Sequence, residues 1–410
     1  MRSVCFVFTL LFLFNNGYSQ DTLYARSVIN TLCTEGFHGR GYVKNGDGKA
    51  ADYLAAEFRR LGLHGIELSY FQTLKFPVNT FPGAMCISIN GKKLIPGDDY
   101  IVSPSSASSK KSFKILNVDS ANVIAKLSST LEDCIVIYLK DFQANRAELI
   151  ELLKKKKSGA VIFIEETKLT WSVSQGQYHI PVITMIKERF PVNAEKISFN
   201  IKADFIAEYK TQNVIASIKG IAQPDSFIVF SAHYDHLGRM GRSTYFPGAN
   251  DNASGTAMLL NLASWYKMNP PRYTILFMAF AAEEAGLVGS KYFTENPLIE
   301  LSKIKFLVNL DLLGTGDDGL MVVNATEYQN HFEILNEINK QKKYFPELGK
   351  RGKAANSDHY YFSEKGVPSF FLYTMGGIKA YHDIHDKAES LPLTKFSEVF
   401  RLIRDFADAL

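Results

Sequence analysis

The sequence predicts an α/β fold with a mostly parallel, mixed central sheet and helices on its faces. After residue 213, apolar strand-like segments alternate with helical patterns, which is typical of parallel strands joined by crossover helices. Helical periodicity at residues 22–63 and a run of short strands from about residue 91 to 207 form two earlier blocks. With 410 residues, the chain is long enough for two domains.

The first twenty residues have the pattern of a secretory signal. Arg2 precedes an apolar run at residues 4–14, and small and polar residues follow it. This run is too short to cross a bilayer, and no later run is long and uncharged enough to do so. We therefore predict a signal peptide at residues 1–20 and a secreted or periplasmic protein without a membrane span.

The composition argues against nucleic acid as a partner and against a disulfide framework. Lys and Arg total 46 and Asp and Glu total 42, so the charges nearly balance. Cleavage of the signal would leave an odd and sparse set of cysteines, Cys33, Cys86 and Cys134. We interpret them as buried small side chains. No pattern in the sequence predicts an oligomeric state.

Two blocks precede the strand and helix alternation. In residues 49–61, Tyr53, Leu54 and Phe58 share one face of a predicted helix, which Gly62 ends. The next block has short strands with one helix between them. We therefore predict a main domain built from residues 21–90 and 210–410, and an inserted β-rich domain at residues 91–209.

Side chains that can bind metal follow several apolar stretches of the last block. His233 comes just after the strand-like residues 227–230, and Asp235 could hold its imidazole from two residues away. Asp311 lies in a further apolar strand, where a lone carboxylate needs a cation or hydrogen-bond donors. Because ligands of an open α/β sheet gather beyond the carboxyl ends of its strands, we expect these side chains to line one crevice.

Asp251 stands just ahead of a helical pattern at residues 258–266. It could cap that helix, but Asn252 or Ser254 could cap it equally well. The carboxylate of Asp251 would then be free to bridge two cations about 3.5–4 Å apart.

Two adjacent acids, Glu283 and Glu284, directly follow the uncharged strand predicted at residues 273–280. Such neighbours repel each other and are costly to desolvate without a cation. One could bind metal while the other acts as a general base. Further along, a strand near residues 367–372 leads to His382 and His385, and spacing alone does not decide which one binds metal.

Six ordered motifs resemble those of the co-catalytic zinc aminopeptidases, family twenty-eight of the metallopeptidases. They lie at residues 233–235, 248–255, 283–290, 309–311, 357–359 and 381–382. The most specific one is Glu-Glu-Ala-Gly-Leu-Val-Gly-Ser at residues 283–290. The resemblance covers residues 22–90 and 210–410 and implies two zinc ions per chain.

The resemblance assigns a role to each residue of the site. One zinc ion would be held by His233, Asp251 and Asp311, and the other by Asp251, Glu284 and His382. Glu283 would be the general base, Asp235 would orient His233, and Tyr381 would hydrogen-bond the oxyanion. His382 is favoured over His385 because the family's ligand directly follows a tyrosine. Asp358 and His359 match a further motif and take a supporting position.

The inserted block resembles a protease-associated domain, a small β-rich module found within relatives. Its predicted elements are the strands at residues 134–139, 160–163 and 180–183 and the helix at residues 146–156. In relatives such a domain can cover the active-site entrance, so the resemblance implies a role in substrate access.

Together these features predict a secreted, zinc-dependent metallopeptidase. The favoured activity is that of an aminopeptidase, which removes N-terminal residues from peptide substrates through a metal-activated water. Alternatives are a single-zinc glutaminyl cyclase or a carboxypeptidase of the same superfamily. A binding ectodomain without catalysis is a further alternative from a different class.

Overall fold

The computed structural model of the chain describes residues 22–66, 68–118, 122–140 and 146–410. The predicted signal peptide at residues 1–20 lies outside the described residues. Among the helices described, none is long and apolar enough to cross a membrane. Cys33, Cys86 and Cys134 are free, and of these Cys33 and Cys134 are buried.

Helices and strands account for most of the described chain. The helices are α1 (Thr22–Leu32), α2 (Gly46–Arg60), α3 (Val123–Ser128), α4 (Arg146–Lys155), α5 (Gly255–Met268), α6 (Val288–Glu295), α7 (Gln329–Lys342), α8 (His359–Glu364) and α9 (Phe396–Ala409). The strands before the last block are β1 (Phe71–Thr80), β2 (Met85–Ile89), β3 (Lys92–Lys93), β4 (Tyr100–Val102), β5 (Ser112–Asn117), β6 (Cys134–Tyr138), β7 (Ala160–Glu165), β8 (Val182–Ile186) and β9 (Lys196–Ile201). The remaining strands are β10 (Asp204–Ile218), β11 (Gln223–His233), β12 (Arg239–Met240), β13 (Thr244–Tyr245), β14 (Tyr273–Phe280), β15 (Ile304–Leu310), β16 (Gly319–Val323), β17 (Leu348–Lys350) and β18 (Ser369–Met375).

The main sheet has the strand order β1-β10-β14-β11-β15-β18-β16-β17. Its central strands β14, β11, β15 and β18 are parallel to one another, whereas β1, β10 and β16 pair antiparallel with neighbours. Every residue of β14 is buried, as expected for a parallel strand covered by helices on both faces. The predicted fold class, α/β with a mixed and centrally parallel sheet, is confirmed.

The first segment of the chain packs back onto the last block. Buried side chains of α1, α2, α5 and α9 form one core on one side of the main sheet. In α1, Arg26 donates hydrogen bonds to the main-chain oxygens of Ala388, at 2.9 Å, and Leu391, at 2.7 Å. A second core, with Phe293 of α6 and Phe362 of α8, covers the opposite side.

A second sheet lies between β1 and β10 in the sequence and has the strand order β3-β2-β9-β5-β6-β7-β8-β4. Its first strand by sequence, β2, begins before the predicted boundary at residue 91 because it pairs with β9. The chain returns to the main sheet at Asp204, which pairs with Thr80 of β1, and so before the predicted boundary at residue 209. The division into two domains stays a prediction. The strand pairing places both boundaries of the inserted block closer to the N-terminus than predicted.

Candidate metal centre

The predicted ligands collect at one edge of the main sheet. His233 is the last residue of β11, and Asp311 directly follows β15. Glu284 lies in the turn after β14, and His382 lies in the loop after β18. Because these four strands are parallel neighbours, their carboxyl ends meet at one edge. Asp251 reaches the same edge from the turn that precedes α5.

The side-chain distances join the five predicted ligands into one cluster. His233 Nε2 lies 3.3 Å from Asp251 Oδ1 and 3.3 Å from Asp311 Oδ1. His382 Nε2 lies 3.0 Å from Asp251 Oδ2 and 3.2 Å from Glu284 Oε2. The two carboxylate oxygens of Asp251 therefore face two different imidazoles.

The side chain of Asn252, and not that of Asp251, accepts a hydrogen bond from the first turn of α5. Its side-chain oxygen accepts a hydrogen bond of 2.9 Å from the main-chain nitrogen of Gly255. Its amide nitrogen donates to the main-chain oxygen of Leu310 at 2.9 Å, which ties the turn to β15. Of the capping alternatives in the sequence, this one leaves the Asp251 carboxylate free for the crevice.

Two buried charged side chains fix the main chain around Asp251. The carboxylate of Asp386 accepts hydrogen bonds from the main-chain nitrogens of Asn250, at 2.8 Å, and Asp251, at 3.0 Å. From the other side, Arg40 donates to the main-chain oxygens of Gly248, at 2.7 Å, and Asp251, at 3.2 Å. Both side chains are fully buried, so the turn is held by charge-assisted hydrogen bonds from each direction.

A chain of hydroxyl and amide groups holds Asp311. Ser357 Oγ donates to Asp311 Oδ2 at 2.8 Å. Ser357 Oγ in turn accepts a hydrogen bond of 2.7 Å from Asn309 Nδ2, and Asn309 Oδ1 accepts one of 2.7 Å from Ser231. One oxygen of Asp311 is thus occupied by the protein, while the other faces His233.

Asp235 contacts the turn that carries the adjacent acids more closely than it contacts His233. Its carboxylate accepts hydrogen bonds from the main-chain nitrogens of Glu283, at 3.0 Å, and Glu284, at 3.3 Å, and from the Tyr42 hydroxyl at 2.8 Å. The nearest carboxylate oxygen is 3.9 Å from His233 Nδ1, whereas the main-chain oxygen of Asp235 is 3.2 Å away. The expected contact between the Asp235 carboxylate and His233 is therefore replaced by a main-chain contact.

Burial and mutual repulsion set the charge states of the acids. Burial, with added repulsion from Glu284, Asp358 and Asp311, raises the pKa of Glu283 well above its usual range. Although burial opposes it, His382 lowers the pKa of Glu284 to about 2. Glu283 and Glu284 are neighbours in sequence, yet the site drives their proton affinities apart. This is the separation expected for one base and one ligand.

The imidazole His382 is correspondingly cationic when only protein groups surround it. Burial alone would lower its pKa, but Glu284 and Asp251 raise the pKa of His382 to about 11. In the described residues, the ion-pair partners of Asp251, Glu283, Glu284 and Asp311 are imidazoles, with no lysine or arginine among them. Buried acids with so few cations need further positive charge.

The donor set fits zinc. Ligand atoms of His233, Asp251 and Asp311 all lie within 4.8 Å of one another, as do those of His236, Asp251 and Glu284. Imidazole nitrogens and carboxylate oxygens are donors that zinc accepts, and a divalent ion would neutralise the excess of acids. The residues present therefore fit two adjacent divalent ions that share Asp251.

Tyr381 lies beside the cluster of ligands, whereas the His385 side chain lies outside it. The Tyr381 ring stacks on the His382 imidazole, with ring centroids 4.0 Å apart and an interplanar angle of 14°. Tyr381 is 43% exposed, and its partial burial together with the carboxylates of the cluster raises the pKa of its hydroxyl. The His385 side chain is 63% exposed, and its Nε2 lies 3.9 Å from Asp98 Oδ1, so the structure brings His382 to the cluster and leaves the His385 imidazole outside it.

His236 belongs to the cluster although no role was predicted for it. Its Nδ1 lies 2.7 Å from Glu284 Oε1, on the opposite oxygen from the one that faces His382. Its ring packs directly against Gly248. A β-carbon added to Gly248 would lie 2.4 Å from His236 Cδ2, so a larger residue at that position would clash with the ring. The position of His236 just beyond β11, three residues after His233, is the feature of the sequence that could have indicated its place at the site.

Several residues next to the ligands adopt the left-handed backbone region. Ala282, Leu312 and His382 have φ values of 54°, 58° and 54°. Each such residue without glycine's freedom costs on the order of 1–3 kcal/mol. Strain of this kind is tolerated where surrounding contacts fix the backbone, and here it lies beside the turns that carry Glu283, Asp311 and His382 itself.

The fold and the cluster define a class: an α/β protein with a carboxylate and imidazole metal centre at the carboxyl edge of its central sheet. Residues 213–407 match the model of Peptidase family M28. The predicted family is therefore confirmed for this part of the chain, and the description of that family as peptidases agrees with the predicted class of enzyme.

Individual relatives agree with the family assignment. Aminopeptidase YwaD of Bacillus subtilis is 28% identical over 258 residues, which are 57% of this chain and 54% of YwaD. A probable zinc metalloprotease of Leptosphaeria maculans is 36% identical over 114 residues, or 27% of this chain and 26% of that protein. The matches thus span about half or less of the curated relatives.

Solved structures share the fold over nearly the whole chain. A zinc aminopeptidase from Bacillus subtilis superposes with a TM-score of 0.71 at 22% identity, covering 95% of both chains. A Peptidase M28 precursor from Shewanella amazonensis gives a TM-score of 0.70 at 18% identity, with 95% of this chain and 93% of that chain covered. At these identities the similarity establishes the fold.

Proposed function

We propose that this chain is a di-zinc aminopeptidase that removes N-terminal residues from peptides. The observation that carries the proposal is the geometry of Asp251, whose two oxygens lie 3.3 Å from His233 Nε2 and 3.0 Å from His382 Nε2. A carboxylate with that arrangement is suited to bridge two cations. The names of relatives, an aminopeptidase and zinc metalloproteases, support this activity and this metal.

The proposed ligands divide into two sets that share one member. The first zinc ion would be held by His233, Asp251 and Asp311, and the second by Asp251, Glu284 and His382. His236 would hold the outer oxygen of Glu284, since its Nδ1 is 2.7 Å from Oε1. When bound, zinc supplies a more acidic water and a Lewis acid for the scissile carbonyl.

The remaining roles fall to side chains next to these ligands. Glu283 would take a proton from the attacking water and later give it to the leaving amine, a task for which a raised pKa suits a carboxylate. Asp235 would hold the main chain of Glu283 through the 3.0 Å hydrogen bond to its nitrogen. Tyr381, with a protonated hydroxyl, would donate to the developing oxyanion.

A substrate panel tests the proposed activity. The purified protein is assayed with aminoacyl anilides and with amine-blocked peptides, with and without a chelator. We expect release of N-terminal residues only, and loss of that activity on chelation. Cleavage from the carboxyl end of blocked peptides would instead make the protein a carboxypeptidase. Cyclisation of N-terminal glutamine peptides with one zinc per chain would make it a glutaminyl cyclase, and a protein that binds no zinc would be a binding module.

A single substitution tests the role of Glu283. We expect Glu283→Gln to keep both zinc ions and to lower kcat by about 10²–10⁴-fold, the usual contribution of a general base. Glu300→Gln is the matched control, because that glutamate is 69% exposed and forms a surface ion pair with Lys303. Near-normal turnover by Glu283→Gln with two zinc ions bound would contradict the assignment.

The sequence patterns outside this centre lead to two further proposals. We infer that residues 1–20 direct export, on the basis of Arg2 followed by the apolar run at residues 4–14. We also infer that the second sheet is a protease-associated domain, on the basis of parallel strands β5 to β8 with helices α3 and α4.

A further inference from the structure

The connection between β7 and β8 of the second sheet reaches the metal centre. The main-chain nitrogen of Trp171 donates to the main-chain oxygen of His382 at 2.8 Å. In return, the Nδ1 atom of His382 lies 3.0 Å from the main-chain oxygen of Trp171. Two hydrogen bonds thus join the second sheet to a proposed zinc ligand 211 residues away in sequence.

The contact with Trp171 determines which nitrogen of His382 is free. A main-chain oxygen can only accept a hydrogen bond, so Nδ1 must carry the hydrogen. Nε2 is then the nitrogen that faces the crevice, 3.0 Å from Asp251 and 3.2 Å from Glu284, and it would offer a lone pair to a metal ion once the imidazole is neutral. Imidazoles that bind metal are commonly held in this way by an acceptor on the other nitrogen.

Lys168, in the same connection, holds the loop that carries His382. Its Nζ donates to the main-chain oxygens of Lys379, at 2.9 Å, and Tyr381, at 3.0 Å. It also lies 2.8 Å from Asp383 Oδ2, a carboxylate that is only 9% exposed. Since His382 has a left-handed backbone with a φ of 54°, which costs on the order of 1–3 kcal/mol, the loop needs contacts of this kind on both sides of that residue.

Trp171 is itself fixed in position. Its side chain is 4% exposed, and its Nε1 donates to the main-chain oxygen of Val102 in β4 at 2.7 Å. Its ring stacks on Phe246 with centroids 4.6 Å apart. In the same connection, Gln175 Nε2 donates to the main-chain oxygen of Ala285 at 2.6 Å, next to the turn with Glu284. The connection between β7 and β8 therefore contacts two of the three segments that would supply ligands to the second zinc ion, those with His382 and Glu284.

We propose that Trp171 and Lys168 are positioning residues for His382, so that the second sheet is a built-in part of one of the two zinc sites. This inference rests on the proposed function, because it assigns a role towards the zinc ion that His382 would bind. The proposed role of the second sheet differs from a role in substrate access, because it concerns the affinity for zinc.

Zinc binding provides a test that is separate from catalysis. The full chain and its Lys168→Met and Trp171→Phe variants are titrated with zinc in competition with a chromophoric chelator. We expect two sites in the parent and, in both variants, an affinity lowered by about 10- to 100-fold at one site only. His382→Ala serves as the reference for a protein that lacks this zinc site. Lys168→Arg keeps the positive charge and should retain most of the zinc affinity.

The controls separate positioning from a general structural effect. Lys154→Met changes a 58% exposed lysine of helix α4, which packs on the second sheet, and should leave both affinities unchanged. Unchanged affinities in Lys168→Met and Trp171→Phe, or equal losses at both sites, would overturn the inference. If Trp171→Phe does not fold, Lys168→Met decides alone. A parent protein that binds no zinc would overturn the proposed function as well, whereas two zinc ions without peptidase activity would overturn that function only.

Discussion

The carboxylate of Asp235 provides the most quantitative test of how the centre is held. It is fully buried and accepts hydrogen bonds from Tyr42, at 2.8 Å, from the main chain of Glu283, at 3.0 Å, and from that of Glu284, at 3.3 Å. An asparagine has one acceptor oxygen, and its amide group would oppose at least one of these donors. The Asp235→Asn variant must therefore leave a buried donor unpaired.

The expected cost follows from that count. Losing a hydrogen bond to this buried carboxyl group and leaving the donor unpaired should lower the free energy of unfolding by about 2–4 kcal/mol. Tyr42→Phe is the matched comparison, because it removes one hydrogen bond, leaves the other two and should cost about 1–2 kcal/mol. Because the main chain of Glu283 would shift, we expect Asp235→Asn to lower kcat/KM by about 10- to 100-fold.

Two measurements check this prediction. Urea denaturation of the zinc-loaded proteins gives the free energy of unfolding, and zinc analysis gives the metal content. We expect Asp235→Asn to keep two zinc ions while its turnover falls. If the variant is no less stable than Tyr42→Phe, the count of hydrogen bonds is wrong. If it loses one zinc ion while fully loaded molecules keep normal turnover, the carboxylate acts on His233 and not on Glu283.

Two further predictions concern histidines. His382→Ala should remove one of the two proposed zinc ions and most of the activity. His385→Ala should leave zinc content and kcat/KM unchanged, because that side chain is 63% exposed. Equal effects of the two changes would contradict the assignment of His382 as the ligand. Burial lowers the pKa of His359 to about 3, so this group's contribution to stability is present above pH of about 6.5 and is lost as the pH falls towards 3. At pH 5 the loss should be about 2 kcal/mol relative to pH 7.5, and it should be absent in His359→Leu, as denaturation at both pH values would show.

The sequence was most informative where an apolar strand ended in a polar side chain. His233 and Asp311 each follow such a strand, and the edge rule for parallel sheets predicts that they meet. The structure brings them to 3.3 Å. The uncharged apolar run at residues 273–280 likewise predicts β14 with the bounds that the structure has. These features are local, so a pattern of a few residues is enough to predict them.

Features that depend on packing between distant segments were not predictable in this way. Residue spacing left His382 and His385 equal, and the difference arises from a loop held by Trp171 and Lys168 of another sheet. The Asp235 carboxylate was expected to face His233, but the turn after β14 supplies two main-chain donors that compete for it. No periodicity in the sequence encodes the position of such main-chain groups.

The pair of hydrogen bonds between Trp171 and His382 also links the position of the second sheet to that of a proposed metal ligand. A hinge motion that swung the second sheet away from this loop would break both bonds and release Lys168 from Asp383. His382 would then lose the acceptor that orients its imidazole. The placement of the second sheet and the geometry around His382 are therefore coupled, so that a displacement of one would alter the other.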